Sequence, residues 1–237
     1  MFSVSTTEAF TKWRFLLDGS AVGEPMLVSA GAHNLSFAVP SGAHAATLQK
    51  DTECLRCGPS LHTPPLIPVS GKAAVFLGLT LSGNGTSNCS ASLPERKTRR
   101  MEIVGDSISC GFGNSVANTM AQHAECTATS AEAWVIDRPP RFLVEASSAY
   151  GAYSAQLARR FGAELHLECI SGIGVMKNGV SLGAHDAHNM SLYVDRTLPF
   201  DESAAGWPYS TWVPELLVVN LGVAPCMHLH RCCTSAA

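Results

Sequence analysis

The stretch GDSISCGFGN, residues 105–114, sets a serine just behind an apolar run, RRMEIV. A serine hydroxyl becomes a nucleophile when a base takes its proton and fixed donors hold the oxyanion that forms on the attacked carbonyl. Ser107 lies where a strand gives way to a loop, a position that presents Oγ, and Gly105 and Gly111 let the chain turn tightly around it. Gly-Asp-Ser is also ordinary turn composition. The residues alone leave two readings, a nucleophile or a polar residue in a strand-to-loop turn.

Other groups with chemical potential are more scattered. His185, Asp186 and His188 cluster in GAHDAHNMS, where a polar surface loop is the favoured reading. His228 and His230 alternate with apolar residues beside Cys232 and Cys233, a combination that would suit a soft metal ion. Cys54 and Cys57 form a single C-x-x-C with His62 following, but a zinc site needs a further ligand pair at usable spacing. Loop thiols or a disulfide are therefore expected, and no metal site. The nine cysteines leave at least one unpaired.

The elements that must position these groups fall into two halves. KWRFLL, NLSFAV and VFLGLTL alternate apolar residues with period two between Gly-, Pro- and Ser-rich turns, which predicts strands with one buried face in a small β-sandwich over residues 1–92. CLRCGPSLHTPPLIPVSGK reads as a loop within it. A basic linker at 93–100 leads to an α/β unit at 101–222, and an atypical tail occupies 223–237. In the α/β unit MEIV, ELHLECI and ELLVVNLG are strand candidates. SSAYGAYSAQLARRFG carries Tyr150, Tyr153, Leu157 and Phe161 at helical spacing, with Ser147 or Ser148 as cap and Gly162 as terminator. Such an order predicts a largely parallel sheet, in which ligands bind beyond the carboxyl ends of strands. Ser107, Gly172 and Gly222 each follow such an end, so three loops are expected to converge on one crevice.

Composition narrows the classes of partner. The chain has 237 residues, 46% of them hydrophobic and 15% charged, with a formal net charge of −3. That balance offers no attraction to nucleic acid or to an anionic membrane, and the longest apolar runs fall short of a membrane span. The N-terminus shows no basic region followed by an apolar stretch, so no signal peptide is visible. Asn-x-Ser/Thr sequons at Asn34, Asn84, Asn88 and Asn189 hint at secretion without deciding the compartment.

MEIVGDSISCGFGN resembles the first block of the SGNH/GDSL hydrolases and, more narrowly, the acetyl esterases of carbohydrate esterase family 2. In the same order, SAYGAYSAQLARRFGAELH resembles that family's first helix and following strand, CISGIGVMKN its second block, LYVDRTLPF a later loop, and WVPELLVVNLG the strand before its third block. Upstream, LQKDTE resembles a Lys-Arg-Thr-Glu strand of the family's jelly-roll domain, with Asp51 where arginine is usual. The resemblance covers about residues 10–222 with insertions. It implies a jelly-roll-like β-sandwich followed by a flavodoxin-like three-layer α/β/α hydrolase domain, here incomplete. It also implies a cofactor-free ester hydrolase that removes acetyl groups from carbohydrate, and a secreted protein. Ser107 matches the nucleophile, and the backbone N–H groups of Ser107 and Gly172 match two oxyanion donors. Gly172 is equally compatible with a turn glycine at positive φ.

The pattern then departs. The family's third block reads Gly-Thr-Asn-Asp, whereas Gly222 is followed by Val223, Ala224 and Pro225, and Asn220 precedes the block inside its strand. Loss of one oxyanion donor costs about 10²–10³ in kcat. No Asp-x-x-His segment supplies the family's base, so impaired turnover is expected. The change after VVNLG, with HAECTATSAEAWVIDRPPRFLVE and CLRCGPSLHTPPLIPVSGK interrupting earlier, reads as noncoding or out-of-frame sequence. Two further readings stay open. One is a noncatalytic glycan-binding remnant using Trp13, Trp207 and Trp212 as stacking faces, although such residues more often pack. The other is a metal- or redox-responsive cysteine protein.

Overall fold

The computed structural model describes residues 1–52, 74–82, 90–115, 144–178, 189–197 and 205–222, with backbone alone at 7–9. Cys54, Cys57 and His62, the 185–188 cluster, the sequons at Asn84 and Asn88, and the tail with His228, His230, Cys232 and Cys233 lie outside the described residues.

The described residues form a mixed α/β structure with two sheets. In the first, a long strand, β1 (Phe2–Leu17), pairs antiparallel with β2 (Ser20–Ala21), β3 (Met26–Leu35), β4 (Ala46–Lys50) and β5 (Ala74–Leu79). The run of β1 is broken by a register shift between Thr6 and Phe10, the kind of irregularity that lets one strand serve several partners. Val4, Trp13, Val28 and Leu35 form the buried cluster, with Met26, Phe37, Leu48 and Ala74 against it.

Two expectations about this sheet are corrected. NLSFAV is not a strand through Val39: β3 stops at Leu35, and Phe37 packs from the following segment, its ring stacked on Phe15 at 4.1 Å. Nor does the alternation in VFLGLTL mark a buried face, since Val75, Phe76, Leu77, Leu79 and Leu81 are all exposed. Among the described residues β5 pairs with the first residues of β1, with Ala74 against the buried cluster and the Phe76 ring 6.4 Å from that of Phe2.

The second sheet is parallel, with β6 (Arg100–Gly105) between β7 (Glu164–Cys169) and β8 (Leu216–Asn220). β6 pairs in register along its length, ending with Gly105 opposite Cys169 on one side and Asn220 on the other. Three strand ends therefore stop level. On one face Met101, Ile103, Ala158 and Ala163 are buried beneath α2 (Tyr153–Arg160), whose Tyr153 and Leu157 recur at helical spacing and close the cluster. Ile103 is fully buried, and its truncation to alanine is expected to cost about 2–5 kcal/mol.

Phe161 caps the end of α2, and Gly162 takes the left-handed conformation (φ 61°) that a helix stop favours. Its start corrects the expected cap. The N-cap is Ala152, without a side-chain hydrogen bond, and Ser147 and Ser148 serve other partners. Arg159 and Arg160 in the last turn complement the helix dipole instead. The opposite face packs Val104, Ile170, Ile173, Met190 and Tyr193, the last two from the short α3 (Met190–Tyr193). Among the described residues no helix is long and apolar enough to cross a membrane.

Candidate active site at the carboxyl edge of the parallel sheet

β6 delivers the chain into α1 (Ser107–Cys110), a single turn. Asp106 caps it: its backbone is extended, and Oδ1 accepts the Ile108 N–H at 3.1 Å. Gly105 is required by crowding. A Cβ there would press into the Ser109 side chain and come within 3.2 Å of the Asn220 carbonyl. Gly111 closes the turn at φ 81°, where a Cβ would collide with the Ser148 carbonyl.

Ser107 is half-buried at the first position of α1. Among the described residues neither its Oγ nor its N–H has a hydrogen-bond partner. The Gly172 N–H is equally unengaged, at a left-handed turn with φ 80°. Gly172 lies three residues beyond Cys169, the register partner of Gly105, and the intervening Ile170 N–H donates to the Gly105 carbonyl at 3.4 Å. A disulfide, Cys110–Cys169, then joins α1 to the end of β7 with Cα atoms 5.6 Å apart. The fold thus brings the loops of Ser107 and Gly172 to one edge of the sheet and ties them covalently.

Asn220 ends β8 at the same level, but its amide is engaged: Nδ2 donates to Tyr153 Oη at 3.2 Å. Tyr153 Oη in turn shares a 2.7 Å hydrogen bond with Ser109 Oγ, and Ser154 Oγ donates to the Ser109 carbonyl at 2.7 Å. This network braces α1 from beneath. The described histidines all bond elsewhere: His33 to the Ser29 carbonyl, His44 to Asp18, and His166 to two glutamates.

The His166 group escaped the sequence reading. On β6 and β7, Glu102, His166 and Glu168 share one face. His166 Nδ1 lies 3.1 Å from Glu102 and Nε2 3.3 Å from Glu168, while both carboxylates are almost wholly buried. Trp207 stacks on the imidazole at 3.9 Å and Trp212 meets it edge-on. With a carboxylate at each nitrogen, the ring is suited to carry both protons. Burial opposes that charge, but hydrogen bonds to and charges of Glu168 and Glu102 outweigh it and raise the His166 pKa. Burial likewise pushes the Glu168 carboxyl above its usual value, against the pull of His166. Nearby, burial and the hydrogen bond to Asp195 push the Tyr209 hydroxyl up to about 12. The sequence signal was present: charges alternating with apolar residues in MEIV and ELHLEC, which mark a polar face but do not say whether it is covered.

The tryptophans weighed as stacking faces for sugars take the packing role that was the favoured reading. Trp13 and Trp212 are buried, and one face of Trp207 is occupied by His166.

No protein-family model matches the chain. It is 32% identical over 227 residues to the cellulase/esterase CelE of Acetivibrio thermocellus, covering 93% of this chain and 22% of that protein. It is 27% identical over 135 residues to an acetylxylan esterase/glucomannan deacetylase of Cellvibrio japonicus, covering 55% of this chain and 30% of that protein. Among solved structures, a family-two carbohydrate esterase of Clostridium thermocellum in complex with cellohexaose superposes with a TM-score of 0.65 at 23% identity, over 94% of this chain and 55% of that one. The acetyl xylan esterase Est2A of Butyrivibrio proteoclasticus gives a TM-score of 0.62 at 18% identity, over 94% of this chain and 53% of that one. The chain therefore spans about half the length of these solved structures and less than a third of the two curated proteins. In sequence and in fold, the relatives of this chain are the carbohydrate esterases of family two.

Proposed function

We propose that this chain is built as a serine ester hydrolase that removes O-acetyl groups from carbohydrate, with Ser107 as nucleophile. The observation that carries the reading is the setting of Ser107: it stands past the central strand with Oγ and N–H unengaged, at the edge reached by the equally unengaged Gly172 N–H. The relatives' names, acetylxylan esterase and glucomannan deacetylase among them, support the substrate class.

In this reading Ser107 Oγ attacks the acetyl carbonyl carbon, and the carbonyl oxygen takes the negative charge against the N–H groups of Ser107 and Gly172. The serine proton passes to a base, which returns it to the departing sugar oxygen. Water, deprotonated in the same way, then releases acetate from the acetyl-enzyme. Among the described residues no base contacts Ser107 Oγ, so the base is sought outside them, first at His185, His188, His228 and His230. Asn220, held by Tyr153, is not a third donor, and turnover is expected about 10²–10³ below that of an esterase possessing one.

The domain reading belongs to the same proposal: a jelly-roll-like unit at 1–92, a linker at 93–100, and a flavodoxin-like hydrolase unit at 101–222 with an atypical segment at 223–237. The sheet order with β6 between β7 and β8 supports the hydrolase unit. Burial of Trp13 and Trp212 disfavours a purely glycan-binding remnant. The test is acetate release from an activated acetyl ester and from acetylated xylan, by this chain and by Ser107→Ala. Slow release that vanishes in Ser107→Ala is expected; equal release from two folded proteins would overturn the proposal.

A further inference from the structure

Asp51 follows β4 and is fully buried, and its two carboxylate oxygens face different sheets. Oδ2 accepts from Arg14 Nε at 3.1 Å and Nη2 at 3.0 Å, with Lys12 Nζ at 3.9 Å, all from β1. Oδ1 accepts from Ser148 Oγ at 2.9 Å and from the Tyr150 N–H at 2.8 Å, just ahead of α2. The main chain repeats the link, since the Asp51 carbonyl accepts the Ala149 N–H at 3.0 Å. Lys12 crosses as well, donating to the carbonyls of Glu145 and Ser147. Burial lowers the Lys12 pKa, against the opposing pull of the Asp51 carboxylate.

From Ser148 the connections run on to the Ser107 turn. The Ser148 N–H is shared between the Gly111 carbonyl at 3.0 Å and Asn114 Oδ1 at 2.9 Å, and the Ser148 carbonyl accepts from Asn114 Nδ2 at 2.9 Å. Beside it, Ser147 Oγ accepts the Gly113 N–H at 3.0 Å and the Ala146 carbonyl the Ser115 N–H at 2.8 Å. Residues 111–115 are thus sewn to 146–148, and Gly111 is the residue that ends α1.

We propose that Asp51 is a positioning residue for Ser107: anchored on β1, it fixes Ser148, and Ser148 fixes the Gly111–Asn114 turn that closes α1. Arg14 lies opposite the buried carboxylate and balances its charge. The meaning of Asp51 for catalysis rests on the esterase reading, but its geometry is measurable without turnover. A merely structural clasp between sheets predicts something different, namely general loosening when it is cut.

Hydrogen exchange followed by mass spectrometry on the full chain separates the two. In Asp51→Asn, peptides covering 107–115 are expected to exchange about 10- to 100-fold faster, while those of β6 and β7 keep their protection. Ser148→Ala, which leaves the Arg14 pair intact, is expected to loosen the same peptides without touching β1, and it decides the matter should Asp51→Asn fail to fold. Unchanged exchange at 107–115, or equal acceleration everywhere, would overturn the proposal. Because exchange is read whether or not the chain hydrolyses ester, loss of the esterase reading and loss of this one are separate results.

Discussion

Replacing both Cys110 and Cys169 by alanine tests how much of the second sheet depends on the bond that closes its active edge. The cross-link spans a sequence separation of 59. Closing a loop of that length removes enough freedom from the unfolded chain to contribute about 4 kcal/mol at 25 °C in the chain-entropy account. Set against a total stability of about 5–15 kcal/mol for a folded domain, that is a large share. At an m-value of about 2–3 kcal/mol per M, the double variant should lose about 1.5–2 M from its urea midpoint. The assay is urea unfolding under non-reducing conditions, followed by tryptophan emission, with the remaining cysteines present in both proteins. The comparison is better than adding reductant, which would act on every disulfide at once. A midpoint within about 0.5 M of the parent would refute the reasoning, since the loop-length account admits no such small value at this separation.

The other predictions concern burial and crowding. The folded chain holds protons on both His166 and Glu168 more tightly than the unfolded chain, so both contributions fall as pH rises. That of Glu168 declines from 4.5 upward, and that of His166 is complete below 6.5 and lost through its raised value. The thermal midpoint should therefore drop as pH rises above 6.5 in the parent and less steeply in His166→Gln, whatever that variant's starting stability; parallel curves would count against the cluster. Gly105→Ala should cost about 1–3 kcal/mol by overpacking against Ser109, with partial recovery in the double variant carrying Ser109→Gly, both read by thermal unfolding. A Gly105→Ala protein as stable as its parent would mean that the turn is looser than drawn.

What could be read from residues alone was the periodic part. MEIV, ELHLEC and ELLVVN alternate or run apolar because they must cover a sheet, and α2 repeats Tyr153 and Leu157 for the same reason. Ser107 was visible because a strand followed by glycine, acid and serine is compact in sequence. The rest depended on partners far away in the chain. Ser147 and Ser148 looked like helix caps by type and spacing, yet Asp51 and Gly113 compete for their hydroxyls from distant segments. β4 was visible only through family resemblance, since ATLQK carries little alternation of its own. Cys110 and Cys169 showed nothing in their spacing to mark them as partners; only the parallel register places them side by side.

The central position of β6 has a consequence in time. Every strand in the first sheet pairs with β1, which has been made before them, and β2 and β3 follow it closely. β6 instead pairs residue 101 with 165 and with 216, so its neighbours emerge from the ribosome well after it does. At about 5–20 residues per second, residue 216 trails residue 101 by roughly 6–23 s. Residue 165 trails by only about 3–13 s, so Met101, Ile103 and Val104 are a nascent apolar strand with neither flank filled at first and with one flank open until β8 arrives, a natural client for a holding chaperone. The segment carrying Ser107 is thus synthesised midway but is among the last to acquire its shape.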